Sequence, residues 1–274
     1  FCDHGSMSAA RRQRVGQRPP LVLVTLGGIG AAVFIIPLLG LASRTPWRKL
    51  PELVSSDVVV DALRLSLFTS LLAGIISLML GVPLAWLLAR VEFPGRSIVR
   101  AVVTLPMVLP PVVGGAALLF AFGRRGLVGE PLNAATGFLM PFSVWGVVAA
   151  NVFVAMPFLV VTVEGALAGL DTRYEHAAAS LGASRLTVFR RVTLPMIAPS
   201  LRAGLVLAWA RALGEFGATI TFAGNLQGRT QTLPLAVFVA LESNRDAAVA
   251  MSLVLVAVSL VVLLSLRDRW WTRP

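Results

Sequence analysis

Six runs of about 20 or more predominantly apolar residues, each long enough to cross a bilayer as a helix, leave this chain little choice of fold. They cover residues 21–41, 62–88, 98–122, 142–163, 199–222 and 247–266. A backbone in hydrocarbon has no water to satisfy its amides, so each run is expected to be helical. The expectation is an all-α integral membrane protein with six transmembrane helices in one domain, residues 21–266. The net charge of +11 would suggest nucleic acid in a soluble chain. Here the arginines cluster between apolar spans, with no basic stripe interleaved with exposed aromatics, so the partner is a lipid bilayer and not nucleic acid.

Charge also orients the spans. Residues 1–20 form a basic tail with Arg11, Arg12, Arg14 and Arg18; residues 1–6, ahead of Met7, read as a non-native remnant. The first run lacks a convincing cleavage site and reads as a retained span, not a signal peptide. With the N-terminus cytoplasmic, the inner flanks collect those four arginines plus Arg90, Arg96, Arg100, Arg173, Arg185, Arg190, Arg191, Arg267, Arg269 and Arg273. The outer connectors at 42–61, 123–140 and 223–246 hold only Arg44, Arg48, Lys49, Arg124, Arg125, Arg229 and Arg245. This twofold excess predicts a multi-pass protein with both termini, including the tail 267–274, inside, and the use of arginine in place of lysine points to a bacterial plasma membrane.

Several chemistries are excluded. Cys2 is the only cysteine, and His4 and His176 are the only histidines, so no disulfide framework or multi-histidine metal centre is available. Lys49, the sole lysine, precedes Leu50, which rules out a Gly-x-x-x-x-Gly-Lys-Ser/Thr phosphate loop. No catalytic set is expected. In the third span Pro106, Pro110 and Pro111 free backbone carbonyls, marking either a kinked structural helix or a break that lines a pathway.

One stretch between spans is neither apolar nor loop-like: residues 171–195. It reads as two short helices around a glycine. Asp171 is placed to cap the first, Glu175 lies in its first turn, and Gly182 is its C′ stop. Ser184 caps a second helix bearing Arg185, Arg190 and Arg191, which is expected to end before Pro195. Such a pair on the inner face fits docking to another protein; the alternative is an interfacial helix on lipid, for which three alanines offer little anchoring area.

The run Glu175-His-Ala-Ala178, three residues, Gly182, nine residues, then Val192-Thr-Leu-Pro195 resembles the cytoplasmic signature of type I ABC importer permeases, usually Glu-Ala-Ala, three residues, Gly, nine residues, Ile-x-Leu-Pro. His176 stands at the usual glutamate position and Glu175 one place earlier, similar to the molybdate branch. Phe93-Pro-Gly95, Leu105–Pro111, Gly123–Gly126, Arg211–Thr221 and Gly228–Pro234 also resemble molybdate permeases; sulfate permeases look similar around Arg211–Glu215. The resemblance implies the MetI-like permease fold and ATP-driven import of molybdate, with tungstate indistinguishable from it and sulfate or thiosulfate the runner-up cargo. It further implies a homodimer, two cytoplasmic ABC ATPase subunits carrying ATP and magnesium, and an extracytoplasmic molybdate-binding protein. This chain would bind no cofactor and catalyse nothing itself. Glu175, His176, Ala177, Ala178, Gly182, Leu194 and Pro195 would couple to the ATPase, and Gln227, Arg229 and Thr230 would touch the binding protein.

Arg211 and Glu215, four apart in the fifth span, are expected to share a helix face near mid-depth, where ionisable groups normally face a bundle interior or water. With Gly214, Gly217 and Thr219 they form a candidate gate at the dimer interface, Arg211 pairing with Glu215 of its own or the partner chain; a purely structural ion pair is the other reading. On composition alone a passive channel or secondary carrier is a rival, but it would not need the 171–195 element. A membrane enzyme lacks its ligands and nucleophiles.

Overall fold

The computed structural model describes residues 20–270, with side chains through residue 264. The N-terminal tail with its first six residues, and the side chains of the C-terminal arginines, lie outside the described residues. All elements among the described residues are helical. Residues as far as Arg44 form one unit and Thr45 onward another. The first unit is described by α1 (Leu21–Arg44), a 24-residue apolar helix with Pro37 inside it. At 1.5 Å per residue it is about 36 Å long, enough to cross a bilayer.

The second unit opens with the short α2 (Leu50–Val54) and the 34-residue α3 (Asp57–Arg90). Next come α4 (Arg96–Val108), α5 (Pro111–Phe122), α6 (Gly129–Thr136) and α7 (Val144–Ala168). Beyond α7 lie α8 (Arg173–Ser180), α9 (Arg185–Val188), a π-helical turn (Phe189–Thr193) and α10 (Leu194–Leu213). The chain closes with α11 (Gly217–Phe222), α12 (Leu233–Ser243) and α13 (Arg245–Trp270). Among the described residues, five helices are long and apolar enough to cross a membrane: α1, α3, α7, the continuous stretch Arg185–Leu213, and Arg245–Leu264 of α13.

The core is built by α3, α7 and α10. Ala73, Val82, Ala85 and Leu88 of α3 meet Ala155, Leu159, Val160, Val163 and Leu167 of α7 and Ile197, Ala208 and Ala212 of α10. Lipid tails are as apolar as leucine, so these helices are held by close packing. Gly204 marks the contact: a Cβ there would stand 3.0 Å from Thr162 and 3.1 Å from Leu159. A second cluster joins Val59 and Ala62 of α3 to Leu233, Ala236 and Ala240 of α12 and Ala248 and Met251 of α13. A third joins Leu118 of α5, Ala150 and Val154 of α7, and Ala218 and Phe222 of α11.

The third apolar run is two helices. Leu109 and Pro110 between α4 and α5 are extended, with ψ of 138° and 131°. Each precedes a proline, whose ring disfavours the α conformation of the residue before it, and Pro111 then occupies the first turn of α5, where its missing N–H costs nothing. The 223–246 connector is not polar throughout. It contains α12, whose backbone returns into the bundle: the Leu233 amide donates to the Ser66 hydroxyl at 2.7 Å, and both are buried.

Candidate functional site

The 171–182 segment folds as its capping residues dictate. Thr172, not Asp171, is the N-cap of α8; Asp171 lies one place earlier, and its carboxylate accepts the Arg173 amide at 2.9 Å, satisfying one orphan donor of the helix. At the other end the Gly182 amide donates to Ala179 O at 2.9 Å and the Ala183 amide to Ala178 O at 3.2 Å, the paired bonds of a Schellman closure. Gly182 lies at φ +85°, a left-handed conformation that strains any side chain. The Ser184 hydroxyl accepts the Thr187 amide at 3.3 Å and starts α9.

The second helix does not end before Pro195. It runs without interruption from Arg185 to Leu213 through the π turn, in which the Leu194 amide reaches back five residues to Phe189 O. The wider turn lets the chain pass a proline whose ring would collide with the carbonyl four residues earlier in a regular helix. Pro195 then sits in the first turn of α10. Leu194 is half-buried there and Pro195 exposed.

Within α8 the polar residues divide. Glu175 turns inward: its Oε2 lies 3.3 Å from Arg90 Nε, its Oε1 accepts from Arg90 Nη2 at 3.3 Å, and the same Oε1 accepts the Thr193 hydroxyl at 2.8 Å. Both members of the ion pair are largely buried. A second pair, Arg100 Nε to Glu164 Oε1 at 2.8 Å, ties α4 to α7 at the same end of the bundle. His176 and Ala177 are exposed and Ala178 is half-buried. The outward face also carries Tyr174 and Leu181, the latter 89% exposed. Sequence reasoning missed both, although Tyr174 is the only tyrosine in the chain and Leu181 directly precedes the stop glycine.

Arg211 and Glu215 do pair within one chain, Nη1 to Oε2 at 2.5 Å, but not along one helix face. α10 ends at Leu213 and Gly214 caps it. Glu215, 2% exposed, lies in the break, and its other oxygen accepts the Ala218 amide at 2.7 Å, so the carboxylate caps α11 as well. Gly214 is exposed, while Gly217 and Thr219 are buried. The close approach expected of Gly217 is made to α5 of the same chain, where a Cβ would stand 2.7 Å from Pro111 Cβ.

Gln227 and Arg229 lie exposed on a tight turn. Thr230 is fully buried, and its hydroxyl accepts the Leu226 amide at 2.9 Å. It shapes the turn and presents nothing to a partner. Deeper in, the Asn151 side-chain amide donates to Thr69 Oγ1 at 3.4 Å across α7 and α3. Among the described residues no group of three or more His, Cys, Asp or Glu is placed to hold a metal.

The chain is similar to known proteins. The molybdenum transport system permease protein ModB of Mycobacterium tuberculosis is 47% identical over 249 residues, covering 90% of this chain and 93% of that protein. ModB of Escherichia coli is 41% identical, covering 81% and 96%. The sulfate transport system permease protein CysT of Salmonella typhimurium is 37% identical, covering 85% and 86%. Among solved structures, a bacterial ABC transporter involved in import of the acidic polysaccharide alginate superposes with a TM-score of 0.73 at 20% identity, over 92% of this chain and 96% of that one. The MetNI methionine ABC transporter gives 0.59 at 18%, over 79% and 97%. These two establish the fold. Residues 78–269 match the family described as binding-protein-dependent transport system inner membrane component, and the chain belongs to that family as an integral-membrane permease subunit of an ABC transporter.

Proposed function

We propose that this chain is the permease subunit of an ATP-driven molybdate importer. The observation that carries the reading is 41–47% identity to molybdenum permeases over 81–90% of the chain. Identity to the sulfate permease is lower, 37% over 85%. Two copies form the translocation path, with both termini in the cytoplasm. α8 sits in a cleft on one of two cytoplasmic ATPase subunits, which bind ATP and magnesium; this chain hydrolyses nothing. Glu175, His176, Ala177, Ala178, Gly182, Leu194 and Pro195 belong to this coupling element. The exposed Tyr174, Ala177 and Leu181 present an apolar face to the ATPase, so closure of the ATPase pair displaces α8 as a rigid body. The break at Gly214–Phe216, with Arg211, Glu215, Gly217 and Thr219, is the gate. Gln227 and Arg229 face an extracytoplasmic molybdate-binding protein.

The test is uptake into proteoliposomes holding this chain with its ATPase and binding protein. ATP-dependent molybdate accumulation that excess sulfate does not compete away is expected, and Gly182→Asp should abolish it while the chain stays in the membrane. Transport of sulfate in preference to molybdate would establish the runner-up cargo. Accumulation without the ATPase would overturn the importer reading.

A further inference from the structure

Glu175 falls within the signature that marks the ATPase-facing segment, yet its carboxylate points away from that face. One oxygen or the other contacts Arg90, the last residue of α3, at 3.3 Å, and Oε1 accepts the buried Thr193 hydroxyl from the π turn at 2.8 Å. Oε1 therefore takes two of the chain's own donors, while Oε2 lies within ion-pair range of Arg90 Nε without a hydrogen bond. α3 and α10 are two of the three helices that build the core around α7. The covalent route from α8 to α7 passes through Gly169, Leu170, Asp171 and Thr172, a short non-helical link. The route to α9 passes through Gly182 and Ala183. Neither is stiff. The carboxylate is the compact connection between α8 and the ends of two spans.

We infer that Arg90, Glu175 and Thr193 form a clasp through which displacement of α8 is delivered to α3 and to the π turn that opens α10. They act as positioning residues for transport, and Glu175 is not a contact to the ATPase. The inference rests on the coupling reading of α8 proposed above. An ion pair across helix ends resists separation, and a hydroxyl donor on the same carboxylate fixes its orientation, so displacement of α8 pulls on both neighbours. The π turn suits the role: its looser i→i+5 bonding is a local irregularity of the kind that accompanies functional sites.

The test uses the full complex in proteoliposomes and reads molybdate transported per ATP hydrolysed. Loss of fold or assembly lowers transport and hydrolysis together; loss of transmission lowers the ratio. Arg90→Glu, Glu175→Arg and Thr193→Val should each reduce the ratio, the charge reversals by about tenfold and Thr193→Val by less, with hydrolysis retained. The double variant Arg90→Glu/Glu175→Arg should recover at least half of the wild-type ratio. Where a charge reversal fails to assemble, Thr193→Val, which only removes a hydroxyl, still reads the ratio. Wild-type ratios in the single variants, or a double variant no better than the singles, would overturn the clasp. Gly182→Asp, run in parallel, separates the two ideas: if it stops uptake while the clasp variants behave as wild type, the coupling reading survives without the clasp. If Gly182→Asp transports normally, the coupling reading itself falls.

Discussion

Two carboxylates, one in α8 beside the end of α3 and one in the break of the fifth apolar run, solve the same problem differently. Glu175 pairs with an arginine 85 residues away and takes its second donor from a third element. Glu215 pairs with an arginine four residues away and takes its second donor three residues on. The first joins parts that are distant along the chain; the second completes a local bend. A connection of the first kind carries force between elements. One of the second kind sets the shape of a single element and can be moved as a unit.

This contrast can be broken or sharpened by substitution. The largest effect is expected at the local site. Arg211→Ala leaves Glu215 buried with only the Ala218 amide, and removing one partner of a buried pair costs about 3–5 kcal/mol. Thermal unfolding of the purified permease in detergent should show it, and an unchanged midpoint would mean that the pair does not shape the break. On the outer face of the coupling element, Leu181→Asp should weaken ATPase association by about 2 kcal/mol, roughly thirtyfold in Kd, if the side chain fills a cleft. Co-purification at graded salt and direct titration both read it. Gly182→Ala should cost about 1–2 kcal/mol of stability through the left-handed backbone alone. The smallest effect is Thr193→Val, about 1 kcal/mol, below the usual range for a charged acceptor because Glu175 keeps Arg90 and some access to solvent. If Thr193→Val proved more damaging to stability than Arg211→Ala, the distinction between the two carboxylates would have to be reversed.

Much of this was legible beforehand because it depends on local chemistry. The cap at Ser184, the stop at Gly182 and the apolar runs follow from single residues or from simple window averages, whereas the N-cap expected at Asp171 falls one residue later, on Thr172. What escaped depends on backbone breaks that hydropathy cannot see. A spacing of four suggested that Arg211 and Glu215 share a helix face, yet Gly214 ends α10 between them and the pair forms around the bend. Pro195 suggested a stop, but a π turn carries the helix past it. The 223–246 stretch was averaged as polar, which hid the 11 residues of α12. Thr230 looked exposed within a polar run, and only the fold shows its hydroxyl spent on the Leu226 amide. The direction of Glu175 was also unreadable, since nothing in the signature states whether its acid faces a partner or its own chain.

The paired prolines at 110 and 111 have one more effect. In a regular helix the amides at those positions would answer the carbonyls of Pro106 and Met107. Proline has no amide proton, so both oxygens keep lone pairs at a depth where lipid offers nothing to bind them. Only water or a donor from a neighbouring segment can meet that demand. Covalent structure alone thus leaves two acceptors in the third apolar run whose partners must come from outside their own helix.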